Sequence, residues 1–301
     1  MSLINKFTKS TALILIALTA LLSSHLAVAD SSVWKVEKDG KHVYLGGTIH
    51  VLSKGDYPFP KEFDQAYKKS EVIYFETDIQ KLSDPEIANL LTSKLMAKEG
   101  DKRTTALKPE TIAALKAFLK KRNIPFEMMD QFNISGVYLV LFSMELANMG
   151  MTNDGVDKYY DTKARQDKKT LGQMETIEQQ MSFFSKIGRG NEDQLIMYTL
   201  RDLEDMPKLM TQMKDTWRSG DRAKYRKLML EPFVRDYPQT YQALLVERNN
   251  NWMPKIEALF DTPEIELVLV GALHMIGKDG LLQQLESKGY IVEPFVAAPG
   301  D

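Results

Sequence analysis

Cysteine is absent from this 301-residue chain. That excludes disulfides, thiolate metal ligands, a cysteine nucleophile and lipid attachment at a lipobox. Histidine is scarce, with only four residues, so few imidazoles are available for acid–base or ligand work. No sign of charge dominates, since 39 Lys and Arg stand against 41 Asp and Glu. That balance argues against nucleic-acid partners and against a broad basic membrane patch. A P-loop, a Gly-x-Gly-x-x-Gly fingerprint, a Gly-x-Ser-x-Gly elbow and a His-Glu-x-x-His pair are all missing. Chemistry on this chain therefore needs a metal or a carboxylate.

Long apolar runs are also lacking, with one short exception near the start. Thr11 to Leu22 follows Lys6 and Lys9 and is too short for a comfortable membrane span. Ala27-Val28-Ala29 then supplies the small-x-small pattern of a signal peptidase site. Residues 1–29 are expected to be a cleaved signal peptide, leaving Asp30 as the mature N-terminus of a periplasmic or secreted protein. No later apolar run approaches about 20 residues, so the mature chain is expected to have no membrane span. Residues 30–301 read as one domain whose helical middle, about 83–260, packs over the site. Oligomeric state leaves no mark on the pattern.

Two stretches near opposite ends share one form: strand-forming residues, a glycine, two small or apolar residues, and a histidine. The first is Leu45-Gly46-Gly47-Thr48-Ile49-His50, and the second is Val270-Gly271-Ala272-Leu273-His274. Each is followed by a loop, a short helix and another strand. The first unit runs through a helix at 61–69 to a strand at 72–75, the second through a helix at 281–287 to a strand at 290–292. Asp39-Gly40 marks a hairpin just before the first unit. The expected fold class is α/β, a mixed sheet built from two related β-Gly-x-x-His-α-β units and flanked by many helices. Among those helices, the apolar stretch Met128 to Asn148 is expected to lie deep against the sheet.

A strand delivers its last side chain to a sheet edge, where sites usually form. A single histidine there is most simply a hydrogen-bonded core residue. Two in matched contexts favour a shared role, and adjacent strands would bring both imidazoles to one point, as a metal ion requires. Glu76 ends the strand after the first unit and is the natural third ligand, with Asp78 two residues on. Two imidazoles and one or two carboxylates suit Zn, Mn, Co or Fe. An open position on such an ion would bind water and lower its pKa. Glu175 follows a short predicted strand, and Arg248 lies in Glu247-Arg248-Asn249. Arg248 could hold a substrate carboxylate or a nearby acid, although both residues also read as ordinary helix-surface polarity.

Together these segments resemble the TraB/GumN family, to which the TIKI-type metalloproteases are related. The resemblance rests on the two Gly-x-x-His segments, Glu76 with Asp78, and Gly155-Val156-Asp157. It continues through Leu171-Gly172-Gln173-Met174-Glu175-Thr176 with Gln179, Arg248-Asn249 with Trp252, and Gly280-Leu281-Leu282. Each piece is weak alone, but the ordered set spans nearly all of residues 30–301. The resemblance implies an α/β fold of the kind shared with erythromycin-esterase-like and ChaN-like proteins. It also implies that His50, His274 and Glu76 form the active-site set.

The resulting expectation is an exported, divalent-metal-dependent hydrolase acting on peptide or protein, with Mn, Co or Zn as the ion. His50, Glu76 and His274 would be the ligands, Glu175 or Asp78 the base, and Arg248 the group that stabilises an oxyanion or orients a carboxylate. The alternatives are a non-catalytic periplasmic protein that binds haem or a metal, and an accessory factor acting by protein contact.

Overall fold

The computed structural model describes residues 32–97, 107–184 and 186–298. The expected signal peptide lies outside them. Among the described residues, no helix is long and apolar enough to cross a membrane.

Six strands form one mixed sheet: β1 (Val33–Lys38), β2 (Lys41–Thr48), β3 (Val72–Phe75), β4 (Thr170–Gln173), β5 (Glu266–Gly271) and β6 (Ile291–Pro294). Their order is β4-β3-β5-β2-β1-β6. The β1–β2 hairpin turns at Asp39 and Gly40, both at positive φ (52° and 80°), the conformation a two-residue turn needs to match strand twist. β4, β3, β5 and β2 run parallel, while β1 is antiparallel to both β2 and β6. Leu267 to Val270 is wholly buried on successive residues, as expected where both faces of a parallel sheet are covered. β5 thus lies between β2, from the first Gly-x-x-His segment, and β3, which carries the chain to Glu76.

Two apolar bodies result. One surrounds the sheet and includes Phe63, Tyr160, Trp217 and Trp252; the other is built from helices and the loops that join them, such as those holding Leu107, Met151 and Ile187. Helix Ile134–Asn148 belongs to the second body. It buries Ile134, Val137 and Leu141 in the same cluster as Leu115 and Leu119 of helix Pro109–Lys121 and Ile196 and Leu200 of helix Glu192–Glu204. The expectation that this segment lies against the sheet is therefore corrected. Its sequence, ISGVYLVLFSMELAN, is apolar around most of its circumference. Such a helix signals burial without saying which body buries it.

Candidate active site at the carboxyl edge of the sheet

Parallel strands leave their carboxyl ends at one edge, where ligands of open α/β sheets bind. Here that edge gathers residues from four strands. Thr48 pairs with Gly271, and Phe75 pairs with both Leu269 and Gln173. The Glu175 amide then donates to the Glu76 carbonyl at 2.9 Å, extending the alignment past the strand ends. His50, Glu76, Glu175 and His274 are thereby placed together, although up to 224 residues separate them in sequence (274 minus 50).

The meeting point is Gly271. A β-carbon added there would stand 3.2 Å from His50 Nε2, 3.3 Å from Glu76 Oε1 and 3.6 Å from His274 Cδ2. Even alanine would crowd His50 and Glu76 and touch His274. The Gly271 amide donates to Glu76 Oε1 at 2.8 Å and helps fix the carboxylate. From that oxygen, His50 Nε2 lies at 3.5 Å and His274 Nε2 at 3.8 Å.

His50 is the solvent-facing member of the group, with its side chain 55% exposed. Its Nδ1 is 2.7 Å from Asp157 Oδ2, and the other oxygen of Asp157 accepts from Thr48 Oγ1 at 2.6 Å. Asp157 is buried in the first turn of helix Val156–Gln166. The start of that helix is pressed against β2: Val156 donates to the Ile49 carbonyl at 3.0 Å, and a β-carbon on Gly155 would lie 2.3 Å from His50 backbone atoms. The Asp157 carboxylate, helped by Glu76 and opposed by burial, holds the His50 imidazole well above its ordinary pKa.

His274, in contrast, is buried. Its Nδ1 is 2.7 Å from Asn249 Oδ1. The Asn249 amide nitrogen donates to the carbonyls of His274 (3.1 Å) and Asp279 (2.8 Å). With both amide protons committed, the Asn249 oxygen must accept, so His274 carries its proton on Nδ1 and presents a lone pair at Nε2. Burial and the neighbouring Arg248 guanidinium push its pKa well below the ordinary range.

Arg248 ties the remaining acids together. It follows a π-helical turn, Gln242–Val246, at the start of helix Glu247–Leu259, and such turns commonly reposition residues at functional sites. Nη2 contacts Glu76 Oε2 at 2.5 Å and Glu175 Oε1 at 2.6 Å, while Nε donates to Glu175 Oε1 at 3.0 Å. Nη1 lies 3.1 Å from His274 Nε2 and donates to the Leu244 carbonyl at 3.2 Å. Glu175 also accepts from Trp252 Nε1 at 3.2 Å and Gln180 Nε2 at 3.2 Å. For Glu76, burial raises the pKa, but Arg248 and His50 outweigh it and hold the carboxyl well below its usual value. For Glu175, burial prevails over Arg248 and the pKa rises.

Asp78 stays outside this cluster. It caps the 3₁₀ turn Ile79–Ser83 by accepting from the Gln80 amide, and pairs with Arg165 at 3.0 Å. Sequence reasoning gave no role to Asp157 or Thr48, nor any to Asn249 as the partner of His274. Asp157 meets His50 across 107 residues, and its trace in the sequence is the Gly155-Val156-Asp157 segment of the family resemblance.

The donor types, two imidazole nitrogens and a carboxylate oxygen, fit a borderline divalent ion. The 3.5 and 3.8 Å separations are near those of ligands sharing one ion at about 2.0–2.2 Å. As the side chains stand, however, no group of three or more His, Asp or Glu among the described residues is disposed to hold a metal. Arg248 gives a physical reason, because it already engages the Nε2 lone pair of His274 and one oxygen of Glu76.

A mixed α/β sheet with imidazoles and carboxylates at its carboxyl edge defines an α/β protein whose site is assembled from both ends of the chain. The chain belongs to the TraB/PrgY/gumN family, whose model matches residues 32–294. It is 23% identical over 247 residues to YbaP, a protein of Escherichia coli (strain K12) described as uncharacterized, covering 81% of this chain and 88% of that one. YbaP of Shigella flexneri matches with the same identity and coverage. Metalloprotease TIKI1 of Danio rerio is 25% identical over 314 aligned positions, covering 88% of this chain and 63% of that protein. No solved structure matches the chain.

Proposed function

We propose that this chain is an exported, divalent-metal-dependent hydrolase of peptide bonds, with His50, Glu76 and His274 holding the ion. The observation that carries the reading is the convergence of these three side chains around Gly271. The name of the Danio rerio relative, a metalloprotease, supports peptide as the substrate class, and the small-x-small leader pattern supports export. A bound Mn, Co or Zn would supply Lewis acidity at an open position. The resemblance to the TraB/GumN family further supports a fold of the kind shared with erythromycin-esterase-like and ChaN-like proteins.

The chain's own residues divide the remaining work. Asp157, backed by Thr48, keeps the His50 proton on Nδ1 and leaves Nε2 facing the centre. Asn249 does the same for His274. Half-exposed His50 marks the side from which a substrate enters. Glu175 acts through Arg248: its oxygens are occupied by the guanidinium, Trp252 and Gln180, which suits positioning better than proton abstraction. Asp78, committed to Arg165, has no part in the reaction.

The test is cleavage of a mixed peptide library after chelation and after return of Mn, Co or Zn. Cleavage should vanish on chelation, return with one of the ions, and be reduced about 10²-fold or more by His274→Ala. Cleavage that survives chelation, or that persists in a His50→Ala, His274→Ala double variant, contradicts the reading. So does failure of every ion to produce cleavage.

A further inference from the structure

Arg248 uses its whole donor set inside the buried cluster. Its five N–H groups are matched by five contacts to four acceptor atoms: Glu76 Oε2, Glu175 Oε1 twice, the Leu244 carbonyl and the Nε2 lone pair of His274. The Arg248 side chain is 6% exposed, so it neutralises Glu76 and Glu175 where water does so poorly. It therefore performs two tasks that a divalent ion would perform at the same place: balancing the carboxylates and satisfying the lone pair of His274.

We propose that Arg248 is an internal competitor for the cation, and that it sets how tightly this centre holds its ion. The proposal rests on the metal-dependent reading given above. An ion can take His274 only when Nη1 releases it, and it must then share Glu76 with a positive charge already in contact with that carboxylate. Glu175 offers the guanidinium a place to stay during the exchange. It meets Arg248 through both Nε and Nη2, so Arg248 can give up His274 and Glu76 while keeping a paired charge. The consequence is a centre that is ordered without its ion and binds it less tightly than its three ligands alone would allow. Arg248 is thus an affinity-determining residue, with Glu175 as its anchor.

The experiment titrates Co²⁺ into chelator-treated full-length chain, reading the Co²⁺ absorption bands and the shift in melting temperature. Arg248→Met removes the competing charge and the donor to His274. Arg248→Lys keeps a charge for Glu76 and Glu175 but lacks the planar fork that reaches His274 at the same time. Co²⁺ is expected to bind Arg248→Met about tenfold or more tightly than the parent chain, with a smaller gain in Arg248→Lys. Without ion, Arg248→Met should melt below the parent, and Co²⁺ should raise its melting temperature more than it raises the parent's. If Arg248→Met does not fold, the affinity of Arg248→Lys decides. A parent chain that binds Co²⁺ while both variants bind equally or more weakly overturns the competitor role and leaves the metal reading intact. No binding in parent or variants overturns the metal reading and this proposal together.

Discussion

Glu76→Ala is expected to abolish hydrolysis and to lower the unfolding free energy by about 3–5 kcal/mol, the usual cost of removing one partner of a buried ion pair. The value should fall toward the lower end, because Glu175 still holds the guanidinium at 2.6 Å. Two further losses add to the change. The Gly271 amide loses its acceptor, and both imidazoles lose the oxygen they face. Glu76→Gln should be milder in stability, since its amide oxygen can still accept from Gly271, but equally poor in activity. Urea unfolding followed by far-ultraviolet circular dichroism measures the first effect and peptide cleavage the second. A fully active Glu76→Ala, or one destabilised by less than about 1 kcal/mol, would show that the carboxylate is peripheral.

Asp157→Asn should act through a proton rather than through packing. The substitution is nearly isosteric, and the Asn oxygen can still accept from Thr48. Its NH₂ would then face His50 Nδ1 as a donor, so the imidazole must put its own proton on Nε2. That is the atom that faces Glu76 and the proposed ion, and it would no longer offer a lone pair. The expected result is a loss of about 10–100-fold in metal affinity and in activity, with a loss of stability confined to pH values at which His50 of the parent chain is protonated, fading as pH rises through its raised pKa. The sign of the pH effect follows from the same contact. Asp157 raises the His50 pKa in the parent chain, so His50 in metal-free Asp157→Asn should lose its proton at lower pH, closer to the ordinary value of about 6.5. Imidazole resonances followed through a pH titration measure it. Unchanged His50 titration with unchanged metal affinity would leave Asp157 only a structural task.

What was legible in the sequence follows period and repetition. The matched Gly-x-x-His segments announce two strand ends, and parallel neighbours in a sheet necessarily leave such ends on one side. Glu76 could be added because it too follows a strand. Asp78 shows where that logic stops. Alternation by two holds only while a strand continues, but β3 ends at Phe75 and the chain turns into the 3₁₀ segment Ile79–Ser83. Asp78 is thereby turned to Arg165 instead of the cluster. Asp157 was hidden for the opposite reason: no local pattern says which strand end a helix N-terminus will touch. For Arg248 the residue was visible, but its five simultaneous contacts arise only once four strand ends and helix Glu247–Leu259 are assembled.

The ligand shell of a bound ion probes this assembly most directly. X-ray absorption at the cobalt edge, taken on Co²⁺-loaded chain and on His50→Ala and His274→Ala, counts imidazoles through their outer-shell scattering. Two imidazoles should register in the parent and one in each variant, with nitrogen and oxygen at about 2.0–2.2 Å. A shell without imidazole in the parent, or an imidazole count unchanged by either substitution, would mean that the two ends of the chain do not share an ion.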